Sequence, residues 1–162
     1  MRMLMLFTLF TCLSAGAQQI KRPYTIIVTD NYNMQFLLNE YRITQDSLVI
    51  TALNDKGVTR IDYLKRKLTG KEKKSLKSFF RTFNTDSLQN EYFSDFNNLK
   101  FIDYSHYPKL INVVLTAPYL SKKIKVTNCF VYRISDLINM INPLFPPEVR
   151  IKYNKDDFDK TY

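Results

Sequence analysis

Between Lys65 and Arg81 the chain carries eight basic side chains: Lys65, Arg66, Lys67, Lys71, Lys73, Lys74, Lys77 and Arg81. Glu72 is the one acid among them, in a chain of net charge +9. Cations at this density draw anions toward themselves, and salt screens the attraction. The chemistry on offer is contact with lipid phosphates, an acidic polysaccharide or an acidic protein. The plainer reading is a solvated helix face that keeps the protein in solution. Lys outnumbers Arg here, which leans toward that plainer role, because Lys is a point charge without Arg's planar fork.

Two other constellations are weaker. Asp103-Tyr104-Ser105-His106-Tyr107 holds the only His of the chain. Neighbours on an extended chain point to opposite faces, so Ser105 and His106 cannot serve each other. Asp103 and His106 could meet in a turn, and a hydrolase would have to rest on them. A polar loop before Pro108 explains the same residues. Tyr92, Phe93, Phe96, Phe101, Tyr104 and Tyr107 form an aromatic group that is either a binding patch or a lid on the core. The absence of Trp favours the core.

No catalytic residue is therefore assigned, and no cofactor or metal is expected. Three Gly leave no phosphate-cradling loop. One His and one Cys in an apolar setting, Cys129, cannot build a zinc cage. Asp156, Asp157 and Asp159 lack the glycine and Glu of a calcium loop.

The elements that position the basic residues follow from periodicity. Tyr24–Thr29, Phe36–Thr44, Ser47–Leu53 and Val58–Leu64 read as strands, with Asn54-Asp55-Lys56-Gly57 closing a hairpin. Apolar residues on both faces of Ser47–Leu53 mark it as a central strand. Thr69 and Glu72 match a capping box that opens a helix. Leu76, Phe79, Phe80 and Phe83 share one helical face, with Lys73, Lys74, Lys77 and Arg81 away from it or at its flanks. Asp86-Ser87 can cap a short helix through Leu88, Tyr92 and Phe93. Leu110–Thr116 and Lys122–Thr127 read as strands around a Pro118 turn. Ser135 can cap a helix through Leu137, Ile138 and Ile141, which Pro143 ends. Glu148–Tyr153 alternates like a half-buried strand.

This order predicts an α+β fold: a mostly antiparallel sheet of about six or seven strands, with two or three helices on one face. With 162 residues, 45% hydrophobic, the chain can bury a core. Its Phe and Tyr content argues against disorder, and its two Cys exclude a disulfide-dense scaffold.

The first residues have another task. Arg2 precedes an apolar run, Met3–Leu13, followed by Ser14-Ala15-Gly16-Ala17. This is the pattern of a signal peptide cut after Ala17, so 1–17 is expected to be removed. The run is too short to span a membrane, which takes ~20 residues. Cys12 behind Leu9-Phe10-Thr11 loosely matches a lipid-attachment site, the alternative route to the envelope. Residues 18–154 then form a single domain, and 155–162 a flexible polar tail. Cys129 is left alone, for burial or for an intermolecular link.

The Ala15-Gly16-Ala17-Gln18-Gln19 cleavage region resembles those of exported proteins of Bacteroidota-type bacteria. So do the Tyr- and Asn-rich body and the closing Leu137–Tyr153 unit. The chain looks like their small uncharacterised exported α+β proteins, a likeness that implies a periplasmic or extracellular location and carries no catalytic residue. The expectation is a non-enzymatic binding domain. Its partner is an anionic envelope component or an acidic protein rather than nucleic acid. A structural or assembly subunit is the alternative, and no span crosses the membrane after cleavage.

Overall fold

The computed structural model describes residues 24–30, 37–54, 60–94, 110–117, 120–158 and 161–162. They form the expected α+β architecture. The strands are β1 (Thr25–Asp30), β2 (Leu37–Thr44), β3 (Ser47–Asn54), β4 (Arg60–Lys67), β5 (Glu91–Phe93), β6 (Leu110–Ala117) and β7 (Leu120–Thr127). The helices are α1 (Gly70–Thr82) and α2 (Tyr132–Ile141). One seven-stranded sheet runs in the order β4-β3-β2-β1-β6-β7-β5. Neighbours pair antiparallel, except β5, which runs parallel to β7.

Side-chain alternation decides the layers. Ile26 and Val28 of β1, Tyr41 and Ile43 of β2, Leu48 and Ile50 of β3, and Ile111, Val113 and Leu115 of β6 are buried on one face. α1 adds Leu76 to that core, and α2 adds Ile134, Leu137, Ile138 and Ile141. Burying each of these aliphatic side chains stabilises the fold by roughly 1.5–3 kcal/mol. Tyr24 meets Phe80 of α1 at 5.6 Å between ring centres, and Tyr41 meets Phe145 at 5.1 Å. The opposite, outer face carries no helix or strand among the described residues. β3, read as central, is paired on both sides but lies second from an edge.

The capping box forms as expected. Thr69 Oγ1 accepts from the Glu72 amide, and Glu72 accepts from the Thr69 amide. Five other expectations are corrected. β4 runs to Lys67, past its predicted end at Leu64. The predicted helix after Asp86-Ser87 is a turn leading into β5, because Tyr92 buries its ring while Asn90 and Ser94 bond to β7.

α2 begins at Tyr132 rather than at a Ser135 cap, and no side chain caps it. Asn128, in the left-handed region with φ 55°, turns the chain into it. The free amides of Val131 and Tyr132 are satisfied from a distance, by Tyr153 Oη and by the Tyr162 carbonyl. Glu148–Tyr153 keeps its alternation, with Ile151 and Tyr153 buried, but joins no ladder. The Asn142 side chain instead bonds both the amide and the carbonyl of Ile151, at 3.0 Å each.

The tail expected to be flexible is tied down. Phe158 is buried, Phe130 bridges Thr161, and the Tyr162 hydroxyl donates to the Phe93 carbonyl at 3.0 Å. Residues 1–23, the Asp55–Gly57 part of the hairpin turn and the Pro118 turn lie outside the described residues.

Tyr153 gives a direct test. Its hydroxyl accepts from Val131 N–H at 2.7 Å and donates to the Cys129 carbonyl at 2.9 Å, all buried. Tyr153→Phe removes both buried bonds and should cost about 1–3 kcal/mol in urea unfolding. An unchanged midpoint would mean that these bonds do not hold α2 to the tail.

Candidate functional site

The eight basic residues reach the surface along three routes. β4 alternates, so Lys65 and Lys67 point to the outer face while Arg66, opposite buried Leu48, points to the core face. There Arg66 forms a two-pronged ion pair with Glu72, at 2.9 and 2.7 Å, and donates to the Leu144 carbonyl at 2.7 Å. Lys73 reaches back to Asp46 in the β2–β3 turn. Arg66 and Lys73 are thus paired with acids of the chain, Arg66 on the core face and Lys73 at the surface. Lys71, Lys74, Lys77 and Arg81 remain exposed on α1, and none of them joins an ion pair among the described residues.

These four share the side of α1 away from Leu76. Lys74, Lys77 and Arg81 follow one another at i, i+3 and i+7, and Lys71 lies three residues before Lys74. Arg81, in the last turn, complements the helix dipole; Lys71, in the first turn, opposes it. Like charges one turn apart repel by roughly 0.2–0.5 kcal/mol per pair. The helix holds this face at a small cost in its own stability.

Electrostatics set the inward pair apart. The Arg66 hydrogen bonds hold the Glu72 carboxyl well below its ordinary 4.5, at about 2, and the Thr69 amide adds to the effect. Glu72 in turn raises the Arg66 guanidinium. The hydrogen bond from Lys73 lowers exposed Asp46.

A second basic surface appears once the register is known. Across the outer face one row reads Lys65–Val49–Arg42–Ile27–Val114–Lys123. The next row outward starts with Lys67 beside Ser47 and ends with Thr25, Thr116 and Ser121. No acid stands in either row. Glu40, Asp62 and Glu91 stand in the following row and are paired with Arg42 and Arg60, with Arg60, and with Lys125. Arg42 and Lys123 escaped sequence reading because they are far from Lys65 along the chain. Only strand pairing brings them into one line.

The described residues hold no group of three or more His, Cys, Asp or Glu that could bind a metal, and no helix long and apolar enough to cross a membrane. Cys129 is buried and unbridged. Tyr92 is buried, and Phe93 is exposed at the sheet edge. Asp103, Ser105, His106, Phe96, Phe101, Tyr104 and Tyr107 lie outside the described residues. One open groove, of about 480 Å³, runs between Phe79 and Phe83 of α1 and Arg133 and Met140 of α2. Another, of about 500 Å³, lies over Glu91, Lys123 and Lys125. Comparison with protein families, curated proteins and solved structures finds no match to this chain.

The Arg66–Glu72 pair predicts a pH dependence. Because Glu72 titrates lower in the folded chain than in the unfolded one, its stabilisation is complete above about pH 4.5. It is lost as pH falls toward about 2. Arg66→Met should lower stability at neutral pH by about 1.5–3 kcal/mol. It should also flatten the unfolding free energy across that acid window. Equal acid sensitivity in both proteins would remove Glu72 as the titrating group.

Proposed function

We propose that this protein is an exported, non-enzymatic binding domain of the cell envelope. Its contact is the outer face of α1, with an anionic envelope component or an acidic protein as partner. The observation that carries this reading is that Lys71, Lys74, Lys77 and Arg81, on one helix side, join no ion pair among the described residues. A helix face built only for stability would alternate its charges, whereas this face carries Lys71, Lys74, Lys77 and Arg81 in succession. Arg66 and Lys73 are each met by an acid. The four on this face are left for solvent or a partner. Export is expected from the pattern of residues 1–17.

The alternative, an assembly subunit, draws on the outer edge of β4, where Ile61 and Tyr63 are 59% and 43% exposed. The bulge at Tyr63 and the flanking Lys65 and Lys67 blunt that edge against strand addition, which counts against it.

Two matched variants test the α1 reading. Lys74→Glu/Lys77→Glu/Arg81→Glu reverses the helix face. Arg133→Glu/Lys152→Glu/Lys155→Glu makes the same charge change at exposed sites elsewhere. On an anionic matrix the helix variant should elute at clearly lower salt, and the control should stay near wild type. Equal shifts would mean that net charge alone binds the matrix, and the α1 face would lose its role.

A further inference from the structure

The outer sheet face carries a surface separate from α1. Its acid-free strip consists of the Lys65-to-Lys123 row and the row of Lys67, Thr25, Thr116 and Ser121 beside it. Five strand intervals separate Lys65 from Lys123, about 24 Å at ~4.8 Å each. Arg42 lies between them. Asp30, Asn54 and Phe93 lie at the far end of the sheet. The strip lies at the end where β4 hands over to α1.

We propose that this strip binds a linear acidic polysaccharide laid across the strands. Three features of the strip point to that ligand class. A pyranose ring is about as long as the distance between neighbouring strands, ~4.8 Å, so successive sugars meet successive strands. Lys65 and Lys123 offer cations along the line, where carboxylates recur along such a chain, and Arg42 between them is shared with Glu40 of the adjoining row. Thr25, Thr116 and Ser121 offer hydroxyls that both donate and accept, as sugar hydroxyls require. The aliphatic side chains of Val49, Ile27 and Val114 suit the C–H faces of the rings. A protein partner fits less well. Interface cores are rich in aromatic residues and Met and poor in Lys and Ser, and this strip has no aromatic side chain.

The probe is a polyuronate oligosaccharide long enough to span the strip, titrated at low salt by calorimetry. A polyglutamate peptide of equal charge is the comparison. Lys65→Gln/Lys123→Gln should weaken polyuronate binding about tenfold. Thr25→Val/Thr116→Val should weaken polyuronate binding and leave polyglutamate binding unchanged. Val suits a strand, and thermal unfolding of each variant checks that it folds. Lys152→Gln/Lys155→Gln and the α1 charge-reversal variant should retain polyuronate binding. Equal loss in the Lys152/Lys155 control would overturn the proposal in favour of diffuse charge. Polyglutamate binding as tight as polyuronate, with the same response to every variant, would overturn it in favour of an acidic protein. Unchanged polyuronate binding in both strip variants would also overturn it, and would leave the α1 reading untouched.

Discussion

The Arg66–Glu72 pair holds three parts of the chain in one place. Arg66 lies in the last two residues of β4, Glu72 in the first turn of α1, and the Leu144 carbonyl that Arg66 also reaches follows α2. Glu72 serves the helix cap at the same time, through the Thr69 amide. A charged, two-pronged contact of this kind fixes orientation as well as distance. It sets the rotation of α1 against the sheet, so that Leu76 faces the core and Lys71, Lys74, Lys77 and Arg81 face away. The basic side of α1 depends on that rotation.

A second tether works at the other helix. α2 has no local cap, and its first amides are met by Tyr153 and by Tyr162 at the chain's end. The rings of Phe130 and Tyr153 stack at 4.9 Å, and Tyr153 meets Phe158 at 5.3 Å. The last residues thus complete the core and the start of a helix. This is an ordering of polar sequence by aromatic anchors: Tyr153 and Phe158 are buried while Lys155 and Asp156 between them stay exposed.

The sheet separates charge by face. One face buries its side chains under both helices, so a cation that points there must be paired, as Arg66 is. The outer face has no such demand among the described residues, and Lys65, Lys67 and Lys123 stand there with hydroxyls and aliphatic side chains. The basic run therefore serves two surfaces and one internal lock, and a partner could engage either surface without the other.

Much of this was legible from residue order alone. Alternation placed the strands, the Thr69–Glu72 spacing placed the start of α1, and together they were enough for the α+β class. Those signals are local, and local hydrogen bonds and periodic burial obey them. The density of charge from Lys65 to Arg81 was equally plain. What needed the tertiary structure was every feature satisfied from a distance. The start of α2 depends on Tyr153 and Tyr162, the Ile151 backbone on Asn142, and β5 on its parallel partner. Division of the basic run depends on β4 continuing to Lys67, since one further turn of alternation sends Arg66 inward and Lys67 outward. The row from Lys65 to Lys123 exists only through strand register. Spacing along a chain records which residues share a local face; which faces meet is decided by packing between segments far apart in sequence.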